Sequence, residues 1–271
     1  MAKDAFGEPA LTAESAGVPM RPLSFGNLAT AVGISALALL LLAGCSSVER
    51  SLLFTPSHNA DTRGLTPWTT GGTVIGYSRS VESPRNVWLL MHGNAGQAAD
   101  RAYALPSFSD RDSVFILEYP GYGVRAGMPS RASFDRAATE AYLLLRETFP
   151  SVPVCVVGES LGSGPASVLA GLPRPPDKIV LIVPFDRLSL VANDHLPSVL
   201  VWMLLSDNWD NKRALEGYRG PVEIFGARDD TVIPVQHAKA LAAALQTARL
   251  TLIDGGHNDW ALAGKVQVRN P

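Results

Sequence analysis

The chain has 271 residues, of which 46% are apolar and 18% are charged. This composition is typical of a globular protein and excludes a disordered or low-complexity chain. The formal net charge is −2 and no basic stripe stands out, so a nucleic-acid partner is not expected. The two cysteines, Cys45 and Cys155, are too few for a disulfide-built scaffold and lack the spacing of a zinc site.

The N-terminal segment has the pattern of a targeting signal. Residues 22–48 carry no charged side chain, Arg21 precedes them, and small residues close the apolar stretch. This order is typical of a secretory signal. The four residues from Leu42 to Cys45 (LAGC) resemble a bacterial lipobox, which implies cleavage before Cys45 and lipidation of that cysteine as the first residue. The sequence thus predicts a signal peptide at 1–44 and a lipoprotein tethered to a membrane of a bacterial cell envelope.

Two alternatives for this segment stay open. The uncharged run is long enough to cross a bilayer, so an uncleaved transmembrane anchor would also account for it. The acidic residues before Pro19 are unusual in a signal, and Met20 is an alternative start that would open an ordinary one. Either anchor tethers the rest of the chain to a membrane.

A linker and a single domain are predicted to follow. Residues 45–66 are polar and rich in turn formers, which indicates a tether, with 52–54 expected to dock on the domain edge. The domain is placed at 67–271. Cys155 lies in an apolar run and is expected to be a small buried residue, because a reactive thiolate needs polar or basic surroundings.

Short apolar runs rich in β-branched residues alternate with helical patterns along this domain. An amphipathic period of 3.6 residues predicts a helix after Ser130, and residues 235–245 predict another that begins near Pro234. Strands that are apolar on both faces are typical of parallel sheets covered by helices. The alternation therefore predicts one doubly wound, mostly parallel α/β sheet with helices on both faces. The predicted strands are 74–77, 87–91, 114–117, 154–157, 179–183, 222–225 and 250–253.

A serine in the middle of the domain has the context of a nucleophile. Ser160 lies between Gly158 and Gly162 in a G-x-S-x-G pattern that follows a predicted strand and opens a helix. The glycines are needed because the sharp turn strains the serine backbone and brings its neighbours close together. The turn lifts the hydroxyl above the carboxyl end of the sheet.

A serine nucleophile needs a base that accepts its proton. His195, His237 and His257 follow Ser160 in the chain, and His257 comes just after the last predicted strand, at the same edge of the sheet. His237 falls inside a predicted helix, where a surface or packing role is more usual. His195 is expected in a solvated loop, with a place in the pocket wall as the alternative.

The acid that orients this base is expected after the strand at 222–225. Asp230 is preferred for its spacing to Pro234, and Asp229 is the alternative because its spacing from the preceding glycine also fits. Asp186 is a third and weaker candidate. The role of the acid is to hold the histidine tautomer and to stabilise the imidazolium.

Backbone N–H groups are the expected donors to an oxyanion. One is that of Leu161, the residue after the serine. The second is assigned to Asn94, in the glycine-flanked loop 92–96 (HGNAG) that follows another strand. His92 is expected to order this loop by hydrogen bonding rather than to touch a substrate.

Taken together, the segments 92–96, 118–123, 158–164, 226–234 and 256–259 resemble those of the α/β-hydrolase superfamily. They occur in the order found in that superfamily and span roughly residues 70 to 260. The chain is most similar to its compact esterase, lipase and aminopeptidase-like branch. The resemblance implies an α/β-hydrolase fold and a Ser–His–Asp triad, but it specifies no substrate.

The room for a substrate-binding cap is small. Residues 184–215 form the single stretch available, and within it 197–205 is strongly apolar. This stretch is either a lid over an acyl pocket or a helix packed on the sheet, and periodicity does not separate the two. Only 14 residues follow His257, which leaves room for a short turn where superfamily members often have a full helix.

The sequence therefore predicts hydrolysis of carboxylic esters or thioesters through an acyl-enzyme on Ser160. The expected partner is a small-molecule or lipid-like acyl substrate, and no cofactor is predicted. Peptide or amide hydrolysis and acyl transfer are alternatives for the same residues, and a non-catalytic envelope lipoprotein is another. The pattern does not indicate an oligomeric state.

Overall fold

The computed structural model describes residues 49–271. The predicted signal, its cleavage site and Cys45 lie outside the described residues. The strands are β1 (Thr55–Pro56), β2 (Thr66–Thr70), β3 (Thr73–Arg79), β4 (Val87–Met91), β5 (Ala95–Gly96), β6 (Ser113–Leu117), β7 (Val154–Glu159), β8 (Ile179–Ile182), β9 (Val222–Ala227) and β10 (Ala248–Ile253). The α-helices are α1 (Arg131–Thr148), α2 (Ser163–Val168), α3 (Leu188–His195), α4 (Ser198–Leu204), α5 (Asn211–Ala214) and α6 (Val235–Ala243).

Eight of these strands form one sheet in the order β10-β9-β8-β7-β4-β6-β3-β2. The pairs from β10 to β6 are parallel, and β3 and β2 complete one edge antiparallel. The predicted α/β class and each of the seven predicted strands are confirmed. Sequence reasoning missed β2, because this edge strand is largely exposed and lacks the apolar run of a central strand.

Helix α1 begins and ends where the sequence predicts. Ser130 caps it: the Ser130 hydroxyl accepts a hydrogen bond from the Ser133 N–H, and the Ser133 hydroxyl accepts one from the Ser130 N–H. This reciprocal pair satisfies two backbone donors that the first turn leaves open. The buried face of α1 includes Phe134 and Tyr142, and it packs on one side of the sheet.

The other side of the sheet is covered differently. A 3₁₀ segment, Ala98–Ser107, packs there together with the C-terminal tail, in which Trp260 and Val266 are fully buried. Pro106 lies inside the 3₁₀ segment, where it removes one backbone donor from the hydrogen bonds of the segment. Cys155 faces this layer, and burial raises the pKa of its thiol to about 12, as expected for a core residue rather than a nucleophile.

The described part of the predicted linker packs against the domain. Residues 49–53 are helical, and Phe54 is buried with its ring centroid 5.1 Å from that of Phe134. Strand β1 then pairs in parallel with β5 in the loop after β4. From Phe54 onward this segment therefore belongs to the domain rather than to a free tether.

Candidate active site

The turn after β7 holds Ser160 in a strained conformation at the carboxyl edge of the sheet. Its φ is +52°, in the left-handed region that residues other than glycine rarely adopt. A Cβ at Gly158 would lie 2.6 Å from the Gly162 carbonyl oxygen, and one at Gly162 would overlap the Met91 carbonyl. The spacing of the two glycines is therefore required by close backbone contacts.

The structure brings His257 and Asp230 to this serine. The His257 Nε2 atom lies 2.8 Å from Ser160 Oγ, and its Nδ1 atom lies 2.7 Å from Asp230 Oδ2. The other carboxylate oxygen of Asp230 accepts hydrogen bonds from the Val232 and Ile233 N–H groups, at 2.9 and 2.8 Å. The Asp230 carboxylate is thus fixed by backbone N–H groups at one oxygen and faces His257 with the other.

The other acid candidates lie elsewhere. Asp229 is exposed, whereas Asp230 is buried. Asp186 contacts His237 Nδ1 at 2.8 Å and Lys212 Nζ at 3.1 Å. Burial acts to raise the pKa of Asp186, but its hydrogen bonds to those two residues outweigh burial and lower that pKa. Asp186 therefore serves a separate ionic cluster.

The two remaining histidines also have defined places. His237 is buried and bridges Asp186 and Asp194, with its Nε2 atom 2.8 Å from Asp194 Oδ2. This agrees with the predicted packing role and joins α6 to α3. His195 is exposed at the end of α3 and also lines the cavity beside Ser160. Its place in the pocket wall is the alternative that the sequence left open.

The predicted oxyanion residues border the serine. Asn94 and Leu161 line the same cavity as Ser160. His92 is fully buried, and its Nδ1 atom lies 2.8 Å from the Gly93 carbonyl oxygen. That carbonyl belongs to the same planar peptide unit as the Asn94 N–H, so the contact fixes the direction of this donor. The hydroxyl of Tyr122 donates to the Asn94 carbonyl at 2.7 Å and fixes the next peptide.

A buried ionic cluster beside the serine was not found by sequence reasoning. Glu159 precedes Ser160, and its Oε2 atom accepts a 2.8 Å hydrogen bond from Arg101 Nε and a 3.4 Å bond from the Gly93 N–H. Its Oε1 atom accepts from Trp260 Nε1 at 3.4 Å. Arg101 also donates to the Ala95 carbonyl at 2.9 Å. Glu159 thereby links the serine turn, the loop after β4 and the loop that carries His257.

The ionised form of this cluster is stabilised in the fold. Burial acts to raise the pKa of Glu159, but the guanidinium of Arg101 outweighs burial and holds that pKa below its usual range. One signal in the sequence pointed to this cluster, namely a carboxylate inside an otherwise apolar strand and turn. Its partner Arg101 lies 58 residues away in the 3₁₀ segment, and no local pattern connects the two.

An apolar cavity of about 440 Å³ opens beside the serine. Helix α4 forms part of its wall with Leu200, Val201 and Leu204, and of the residues in α4 only Val201 is buried. The apolar stretch at 197–205 thus lines the cavity beside the serine, which favours a small lid over a helix packed on the sheet. A second cavity, of about 780 Å³, shares no lining residue with this one and is bordered by charged side chains.

The sheet order and the strained serine turn define a protein with the α/β-hydrolase fold. Two solved structures illustrate the likeness. An esterase of Pyrococcus furiosus matches with a TM-score of 0.57 at 14% identity, over 78% of this chain and 91% of its own. A hydrolase of Pseudomonas aeruginosa matches with a TM-score of 0.55 at 18% identity, over 74% and 94%.

Comparison with curated sequences gives more similar relatives. An uncharacterized protein of Mycobacterium tuberculosis is 31% identical over 176 residues, which cover 63% of this chain and 62% of that protein. The lysophosphatidylserine lipase ABHD12 of Danio rerio is 29% identical over 185 residues, which cover 61% of this chain and 48% of the lipase. The matched segment thus spans about half to six-tenths of these relatives. No family model matches the chain.

Among the described residues, no helix is both long and apolar enough to span a membrane.

Proposed function

We propose that the chain is a serine hydrolase that cleaves carboxylic esters or thioesters. The observation that carries this proposal is the line of contacts from Ser160 Oγ through His257 to the buried Asp230, with both distances under 3 Å. An aligned nucleophile, base and orienting acid are what acyl transfer requires.

In the proposed reaction, Ser160 Oγ attacks the acyl carbon while His257 Nε2 takes the hydroxyl proton. The N–H groups of Asn94 and Leu161 stabilise the negative charge that develops on the carbonyl oxygen. The tetrahedral intermediate then collapses, and His257 gives its proton to the departing alcohol or thiol. Water, deprotonated by the same imidazole, attacks the acyl-enzyme and releases the carboxylic acid. Asp230 holds the imidazole in the tautomer that these steps need.

The cavity supports a substrate with a lipid-like acyl chain. Its lining is mostly apolar and includes Leu188, Val191 and Leu205. A site of this kind, apolar with few polar groups, favours hydrocarbon over a charged peptide. One relative is named a lysophosphatidylserine lipase, which agrees with an ester of a lipid.

A fluorophosphonate probe tests this proposal directly. We expect it to label the wild-type chain and to leave Ser160→Ala unlabelled, because the alanine variant lacks the nucleophile. Ser151→Ala, which changes an exposed serine before β7, at the end of that strand opposite to the serine turn, should label like the wild type. Absence of labelling in folded wild-type protein would refute the proposal. A panel of oxygen esters, thioesters and amides of increasing acyl length then ranks the bond type and the chain length.

We also propose that the N-terminus anchors the chain in the bacterial envelope through acylation of Cys45. During expression in bacteria with an alkyne-tagged fatty acid, we expect the wild type to incorporate the tag and Cys45→Ser to lose it. Cys155→Ala removes the buried thiol and should keep the tag. Equal tagging of wild type and Cys45→Ser would exclude acylation at this cysteine.

A further inference from the structure

The lid helix α4 has two apolar sides. Three residues on one side line the cavity beside the serine: Leu200, Val201 and Leu204. Three residues on the opposite side follow the i, i+3, i+4 spacing of one helix face: Val199, Trp202 and Met203. Their side chains are 61%, 83% and 57% exposed. We call these last three residues the outer face of α4.

An apolar outer face is unusual for a lid in contact with water. A surface helix normally carries polar residues on the side away from the core, and a helix that is apolar all round is normally covered. Residues 196–205 contain no charged side chain. The rim of the cavity adds further exposed apolar residues, including Leu52, Leu196 and Val232. The exposed patch is thus continuous with the cavity that leads to Ser160.

The chain enters the domain next to this patch. The Glu49 carboxylate accepts hydrogen bonds from the Ser206 and Asp207 N–H groups, at 2.7 and 2.6 Å, and one from the Ser206 hydroxyl. These residues form the turn directly after α4. Glu49, where the described chain begins, therefore lies beside α4, and the 27 residues that precede it, 22–48, are uncharged.

We propose that the outer face of α4 and the cavity rim dock on the surface of a lipid bilayer. The apolar side chains would enter the boundary between headgroups and acyl chains, where the amphipathic ring of tryptophan is favoured. The face carries no lysine or arginine, so a zwitterionic surface suffices and binding is insensitive to salt. One consequence of this docking rests on the proposed function: the acyl substrate enters the cavity from the bilayer.

Trp202 is a built-in probe for this contact. Three of the other tryptophans, Trp88, Trp209 and Trp260, are at most 1% exposed, and Trp68 lies on the edge strand β2. The full chain is mixed with vesicles of phosphatidylcholine brominated along the acyl chains, and binding is followed by flotation. We expect the tryptophan emission of the wild type to be quenched on binding, and most of this quenching to be lost in Trp202→Phe. Vesicle binding and the quenching of the wild type should both persist at high salt. Trp68→Phe is the matched control and should be quenched like the wild type.

Three results would overturn this docking. The first is a chain that floats with the vesicles while wild type and Trp202→Phe are quenched equally. The second is that Trp202 is shielded from iodide in the absence of vesicles at every protein concentration, which would indicate that residues 1–48 cover the patch. The third is that this shielding appears only as the protein concentration rises, which would indicate that a second copy of the chain covers the patch. Ser160→Ala is expected to be quenched like wild type, so failure of docking and failure of the proposed hydrolase are separate results.

Discussion

Replacement of Asp230 by asparagine is expected to lower kcat/KM for an ester substrate on the order of 10⁴-fold. The reason is the way in which this carboxylate is held. Oδ1 already accepts two backbone N–H groups, so an asparagine oxygen would stay at that position. Its NH₂ group would then face His257 Nδ1 and would force that nitrogen to act as an acceptor. The imidazole proton would lie on Nε2, facing Ser160, and the ring could no longer take the serine proton.

The matched control is Asp229→Asn, which makes the same chemical change one residue earlier on an exposed side chain. Its effect on kcat/KM should stay within about twofold, the scale of a surface substitution of 0.5 kcal/mol. Both variants should unfold at the same denaturant concentration as the wild type. If Asp229→Asn were the more damaging of the two, the assignment of the orienting acid to Asp230 would be wrong.

The sequence predicted those parts of the fold that depend on local patterns. The central strands were recognisable because β7 and β8 lie between two layers and must be apolar on both faces. Ser160 was recognisable because its turn needs small residues at fixed positions, and Asp230 because a proline follows at a fixed spacing. Each of these signals lies within a few residues of the feature that it predicts.

What sequence reasoning missed depends on contacts between distant segments. Glu159 and Arg101 are 58 residues apart, and neither sits in a pattern that names the other. The role of α4 was undecided because a lid and a core helix share one apolar period, and the difference is which neighbours cover the helix. The packing of the C-terminal tail also depends on a distant contact, because Lys178 Nζ donates to the carbonyl of Arg269, 91 residues further along the chain, at 2.8 Å.

The second large effect is expected for Glu159→Gln. This change leaves the Arg101 guanidinium, whose side chain is 11% exposed, without its charged partner. Removal of one partner from a buried pair costs about 3–5 kcal/mol, because the remaining charge stays desolvated. We expect the free energy of unfolding of the full chain, measured by urea titration in mild detergent, to fall by an amount of this order. Labelling of Ser160 by the fluorophosphonate should also slow, because the loop after β4 is held by the Glu159–Arg101 pair: Glu159 accepts from the Gly93 N–H and Arg101 donates to the Ala95 carbonyl.

The pH dependence distinguishes this cause from a general packing defect. The pKa of Glu159 is lower in the folded chain than its ordinary value, so its ionised form stabilises the fold above the unfolded pKa of about 4.3. That stabilisation is lost as pH falls through the folded pKa. The gap in unfolding free energy between wild type and Glu159→Gln should therefore be full at pH 7 and should narrow in acid. Asp254→Asn, which breaks the exposed pair with Arg228, should leave the unfolding midpoint unchanged at both pH values. If the difference in unfolding free energy between wild type and Glu159→Gln did not vary with pH, the ionised Glu159–Arg101 pair would not be the cause of that difference.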